Sequence, residues 1–109
     1  MTPGERRALD AALAALPERL RLVLELRFLT TPGWTLKQLG ERLGLSYQRV
    51  AQLQGRALWL VGWRLRELLH PSPPVAPDAI PALAVRLLAL RKQTATKKAK
   101  RTAGRRRGR

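Results

Sequence analysis

The chain has 109 residues, room for one compact domain but too little for a multi-domain enzyme, since single cores commonly occupy about 100 to 150 residues. Its 22 Lys and Arg against 7 Asp and Glu give a formal charge of +15, and residues 91–109 hold ten of the cations and no acid, leaving 12 basic against 7 acidic, or +5, for residues 1–90. Such a body can fold while its tail repels itself until phosphate neutralises it, so nucleic acid is the leading partner, whereas zero cysteines and a single His70 exclude disulfides, thiol nucleophiles and zinc sites, and no cofactor or metal is expected.

The longest apolar run, Ala57 to Trp63, is far short of the roughly twenty residues that span a bilayer. No leader pattern follows Glu5-Arg6-Arg7, because Asp10 and Pro17-Glu18-Arg19 interrupt it. A cytoplasmic, nucleoid-associated protein with no membrane partner and no small-molecule substrate is expected.

Helical periodicity runs through the chain and strand alternation does not, so the fold class is all-α. Leu9, Leu13 and Leu16 share one face of a first helix, which Pro17 ends and restarts. Leu20, Leu22, Val23, Leu24, Leu26, Phe28 and Leu29 make a second helix apolar around most of its circumference, a pattern that places it inside. Thr30-Thr31-Pro32-Gly33 breaks it, and Thr35 is placed to cap a third helix carrying Leu36, Leu39 and Leu43, which Gly44 ends. From its N-cap Ser46 a long helix runs over Tyr47 to about Leu69, with a bend allowed at Gly55 or Gly62. Pro71 to Pro77 reads as an extended, semi-rigid spacer over residues 71–78, followed by an amphipathic helix over 79–92 on Ile80, Leu83, Leu87, Leu88 and Leu90. Residues 93–109 lack the apolar content to order themselves, so residues 1–70 are expected to form the folded domain and 93–109 a disordered basic tail.

The informative stretch is Thr35 to Leu53. A helix-turn-helix needs a small residue at the close crossing, a residue tolerating positive φ in the turn, and apolar residues on the second helix facing the first. Gly40, Gly44, Val50 and Leu53 meet those needs in order, while Leu36, Leu39 and Leu43 supply the facing stripe and Leu45 plugs the base of the turn. The expected fold is thus a helix-turn-helix domain of three to five helices, winged-helix-like or of the type named next.

The stretch resembles region 4 of the sigma-70 family of bacterial transcription initiation factors, the promoter-reading domain. The matching residues run over about 16–72: Leu16-Pro17-Glu18-Arg19, Val23-Leu24, Leu26-Arg27-Phe28, Thr35-Leu36, Leu39-Gly40, Leu45-Ser46, Arg49-Val50, Gln52-Leu53, Arg56-Ala57-Leu58 and His70-Pro71-Ser72. The resemblance implies docking of the second helix of the motif in the major groove of the promoter −35 element, and contact with the β flap of RNA polymerase core. A chain this short has no room for the helical domain with which full sigma factors melt the −10 element, so a stand-alone region 4 is expected. At Tyr47, Gln48 and Ala51 primary sigma factors usually carry arginine, glutamate and arginine, and only Arg49 and Gln52 remain of that contact set. About seven extra residues, two helical turns, also separate Ala57-Leu58 from His70 and bring Trp59 and Trp63 to one face. These two are assigned to packing against the first or last helix, the alternative being an exposed partner patch.

Read from the residues, the face opposite Val50 and Leu53 is Tyr47, Gln48, Ala51, Gln52 and Gly55. Glutamine pairs bidentately with adenine, and alanine or an aromatic ring touches thymine methyls, so Tyr47, Gln48, Ala51 and Gln52 are the candidate base-reading residues for an A/T-leaning site. Thr35, Lys37, Arg42, Arg49 and Arg56 flank that face as candidate phosphate ligands. Lys97, Lys98, Lys100, Arg101, Arg105, Arg106, Arg107 and Arg109 form a tail phosphate clamp. No nucleophile–base pair, carboxylate pair or phosphate loop is visible, so an enzyme is not expected. The function read from the sequence is a sequence-specific DNA-binding transcription factor that contacts RNA polymerase. The alternatives are an architectural DNA-coating protein and a polymerase-binding adapter that does not read DNA sequence.

Overall fold

The structure, a computed structural model, describes the backbone of residues 1–107 and the side chains of residues 1–93. Five α-helices carry the fold, and among the described residues there is no strand and hence no wing.

Helix α1 (Pro3–Ala14) starts at a capping box: Thr2 Oγ1 accepts the Glu5 N–H at 3.0 Å, and Glu5 Oε1 accepts the Thr2 N–H at 2.8 Å. The backbone hydrogen bond from Thr2 holds the Glu5 carboxyl below the usual carboxylate range, so the box is made by the ionised form. After Leu16 and Pro17 the chain enters α2 (Glu18–Leu24), which continues into a π-helical turn over Glu25–Leu29. The second helix is less enclosed than its composition suggests, since Leu22, Leu26, Phe28 and Leu29 are only half-buried. Its apolar circumference has a different cause: it faces two cores at once. Leu20 and Leu24 enter the larger cluster, whereas Val23 and Leu26 join the smaller one beneath the helix-turn-helix.

Helix α3 (Leu36–Leu43) and α4 (Tyr47–Leu69) form that motif. Helix α4 is unbroken through Gly55 and Gly62, and ends where His70 takes a left-handed φ of 46° and donates its N–H to the Arg66 carbonyl. One short 3-10 turn (Pro77–Ala79) then leads into α5 (Ile80–Arg107). The bounds of α5 take in part of the basic segment, but the tail's side chains, with the eight residues of the expected clamp, lie outside the described residues.

The segment after His70 does not hold the last helix away from the domain. Arg66 Nη1 donates to the Val75 carbonyl at 3.2 Å, folding the proline-rich stretch back along α4. Helix α5 then lies across α4 and α1, burying Leu83, Ala84, Leu87 and Leu88 in the same cluster as Leu9, Leu13, Val61 and Leu65. A Cβ on Gly62 would stand 2.1 Å from the Ile80 carbonyl oxygen, so only glycine lets α5 begin this close to α4. The expectation that residues 1–70 hold the core alone is corrected accordingly. The physical reason is that α1 and α4 together leave an apolar face that α5 covers. On its opposite edge Arg91 pairs with Asp10, tying the helix to α1.

Full burial of one leucine is worth roughly 1.5–3 kcal/mol, and α5 brings several apolar side chains to marginal total stability. A fragment of residues 1–72 is therefore expected to lose cooperative thermal unfolding by circular dichroism, whereas a fragment of residues 1–93 keeps it.

Candidate nucleic-acid interface

The helix-turn-helix is set by local chemistry. Thr35 Oγ1 accepts the Gln38 N–H at 3.1 Å while Gln38 Oε1 accepts the Thr35 N–H at 2.9 Å, a second capping box that starts α3. Gly44 ends the helix with φ 71°, a left-handed conformation that glycine adopts without a Cβ penalty. The Gly40 carbonyl accepts the N–H groups of both Gly44 and Leu45, the latter at 2.8 Å. Gly40 is required by this turn rather than by a helix crossing: its Cβ would stand 2.5 Å from the Leu45 carbonyl oxygen. Ser46 Oγ then accepts the Arg49 N–H at 3.2 Å and starts α4.

Beneath the motif Val23, Leu39 and Val50 are wholly buried, with Trp34, Leu36, Leu43 and Leu45 packed around them. Leu53, expected to face α3, packs instead against the larger cluster. The approach to α3 is held by a reciprocal pair: the Trp34 N–H donates to the Leu26 carbonyl and Arg27 Nη1 donates to the Trp34 carbonyl, each at 3.0 Å. Neither Trp34 nor Arg27 stood out as a positioning residue in the sequence, since both interactions use main-chain atoms that periodicity does not reveal.

On the outer side of α4, Tyr47 is 57% exposed, and Gln48, Ala51, Gln52 and Gly55 are exposed with it. None of these side chains is spent on the core. Arg49 Nη1 donates to Gln52 Oε1 at 3.0 Å, so the glutamine amide is oriented before any ligand arrives, with its oxygen towards Arg49. Arg49, Gln52 and Arg56 line one groove with Pro17, Leu20, Leu53 and Arg19. Arg19, from the start of α2, is the cation that the sequence reading left out of the site. Its position in Leu16-Pro17-Glu18-Arg19 was visible, but nothing local says that α2 starts beside the middle of α4.

Thr35, Lys37 and Arg42 are exposed on the α3 side. The Thr35 hydroxyl accepts in the cap and still has its own proton to donate. Arg42 lies 6.0 Å from the Trp34 ring centroid, which steadies it near the turn. The phosphate candidates thus divide into a group on α3 and another around the α2–α4 groove. Trp59 and Trp63 are not buried against the first or last helix: they are 43% and 37% exposed and stack on each other. The inner face of α4 is already filled by Leu58, Val61 and Leu65, which leaves the tryptophans on the outside.

Residues 12–59 match the family model of sigma-70, region 4. No curated protein and no solved structure matches the chain. That match supports a sigma-70 region 4 domain over residues 12–59, and the family is one of DNA-binding regulatory domains in transcription and not of enzymes. The match spans α2, α3 and the first half of α4 and ends at Trp59, so the rest of α4 and the whole of α5 lie beyond it. No helix among the described residues is long and apolar enough to cross a membrane.

Because the Leu45 carbonyl cannot move without opening the turn, Gly40→Ala is expected to cost about 1–3 kcal/mol, the usual range for overpacking. Urea unfolding measures it, and a change below a few tenths of a kcal/mol would show that the turn gives way freely.

Proposed function

We propose that the N-terminal half of α4 reads a promoter element in the major groove of duplex DNA, with Tyr47, Gln48, Ala51 and Gln52 at the base edges and Thr35, Lys37, Arg42, Arg49 and Arg56 on the flanking phosphates. The observation that carries this reading is the exposed face of α4, which presents two glutamines, an alanine and a tyrosine that the fold does not use. Arg19 joins the phosphate ligands, because it lines the groove of Arg49, Gln52 and Arg56. Two glutamines, and no arginine among the four base-edge residues, favour adenine over guanine, and hence an A/T-leaning site. Arg49 and Gln52 act as a pair, the arginine holding the glutamine oxygen and reaching a phosphate with its remaining N–H groups.

RNA polymerase core, through its β flap, is the second partner proposed, on the strength of the region 4 resemblance. A promoter-reading role places the protein with the nucleoid in the cytoplasm. Selection of bound duplexes from a random pool, with and without polymerase, tests both partners. Enrichment of one short element supports reading, and an unenriched pool that is nevertheless bound supports the architectural alternative.

Gln48→Ala and Gln52→Ala are each expected to weaken the selected duplex by about 1–3 kcal/mol and a scrambled duplex much less. Electrophoretic mobility shifts measure both, and equal losses on the two duplexes would remove these side chains from base reading.

The tail is proposed to hold phosphates without reading sequence. Arg91 is committed to Asp10, so the clamp consists of the eight cations from Lys97 to Arg109. Removing residues 94–109 keeps Ile80, Leu83, Ala84, Leu87 and Leu88, the buried residues of α5 among those described, and should lower affinity for all duplexes by a similar factor. It should also flatten the salt dependence by about 0.9 logarithmic units per phosphate released. A collapse of the specific-to-scrambled ratio on truncation would make the tail a reader.

A further inference from the structure

We propose that the exposed Trp59–Trp63 stack on α4 is a second nucleic-acid site, a platform on which an unpaired base of single-stranded DNA stacks beside the duplex-reading face. The indoles lie with ring centroids 5.4 Å apart and planes 16° from parallel. The Arg66 guanidinium sits 4.3 Å from the Trp63 ring centroid. Trp63 therefore has two stacking partners, whereas among the described residues no ring or guanidinium other than Trp63 stacks on Trp59. One turn earlier stands Gly55, with open space where its Cβ would be. A flat group can enter there against Trp59, next to Gln52 and Arg56.

The direction of this face follows from helical spacing. Gln48, Gln52, Gly55, Trp59, Trp63 and Arg66 recur at intervals of three and four residues along one unbroken helix, and so form a single stripe. The 23 residues of α4 span about 34 Å, against a major groove about 12 Å wide. Trp59 lies about 10 Å beyond Gln52 along the axis, outside the groove yet on the side turned towards the nucleic acid. That placement rests on the proposed reading of duplex DNA; the stacking chemistry does not.

The occupant must be planar and is best anionic. Arg56 and Arg66 belong to the face, and the acid nearest in sequence, Glu67, is paired with Arg64 at 3.8 Å. Stacked aromatics flanked by arginines are the chemistry that binds single-stranded nucleic acid, each base offering a π-face whatever its identity. A paired base has its faces covered by its neighbours, so the ligand is an unpaired one. The platform is largely assembled before binding, which lowers the ordering cost.

The test uses the full chain and a fluorescently labelled oligothymidine of about a dozen nucleotides, at salt high enough to weaken the tail. Binding should quench tryptophan emission saturably. The double variant W59A/W63A should bind the single strand about 5- to 100-fold more weakly, with helical content and duplex affinity retained. W59F/W63F, which keeps the rings, should lose only a small part of that. W59L/W63L, apolar without a π-face, should lose as much as the alanine variant. Unchanged single-strand affinity in W59A/W63A overturns the proposal, and so does retention by W59L/W63L, the behaviour of an apolar patch that serves a protein partner. An equal fall in duplex affinity overturns it too, by placing the tryptophans in the duplex interface. Failure of Gln48→Ala and Gln52→Ala to affect duplexes would sink the duplex reading and leave the single-strand result standing.

Discussion

One helix has to serve two cores and a ligand at the same time, and the rest of the fold is arranged around that constraint. Helix α4 packs on α1, α2, α3 and α5, so each of the other helices is positioned by what it covers on α4. Val50 anchors its start beneath the turn; Ala57, Leu58, Val61 and Leu65 anchor its remainder in the larger cluster. With the inner side committed along its whole length, the outer side is rigid without contributing to packing, which is the property a reading surface needs.

Two close backbone approaches keep this arrangement in register. At Gly40 the Leu45 carbonyl occupies the space of a side chain, fixing the angle at which α4 leaves the turn. At Gly62 the Ile80 carbonyl does the same for α5. The first glycine belongs to the region 4 match and the second lies outside it, so the chain uses one device to build the shared motif and again to attach its own last helix.

The charge distribution supports the same division of faces. Asp10 and Glu67 are paired with Arg91 and Arg64, Glu25 lies against Arg21, and Glu5 is spent in the cap of α1. Among the described residues no ion pair reaches Arg19, Arg49 or Arg56, which keep their charge for the groove they line. An excess of cations left unneutralised on one side raises the local anion concentration and steers association.

Sequence alone determined the helical class, both ends of the helix-turn-helix and the base-reading candidates. These depend on spacing and on residues such as Thr35, Gly44 and Ser46 whose hydrogen bonds or φ angles are local. The exposure of Tyr47, Gln48, Ala51 and Gln52 also follows from periodicity once Val50 is known to face inwards. Tertiary structure decided the rest. Proline content suggested that residues 71–78 hold two parts of the chain apart, but Arg66 reaches Val75 and α5 returns to the core. Arg19 came to line the groove of Arg49, Gln52 and Arg56 because α2 begins beside the middle of α4, and Trp59 and Trp63 stayed outside because leucines and a valine had filled the inner face. A helical period shows which residues share a face; what covers that face depends on distant segments, and only their packing settles it.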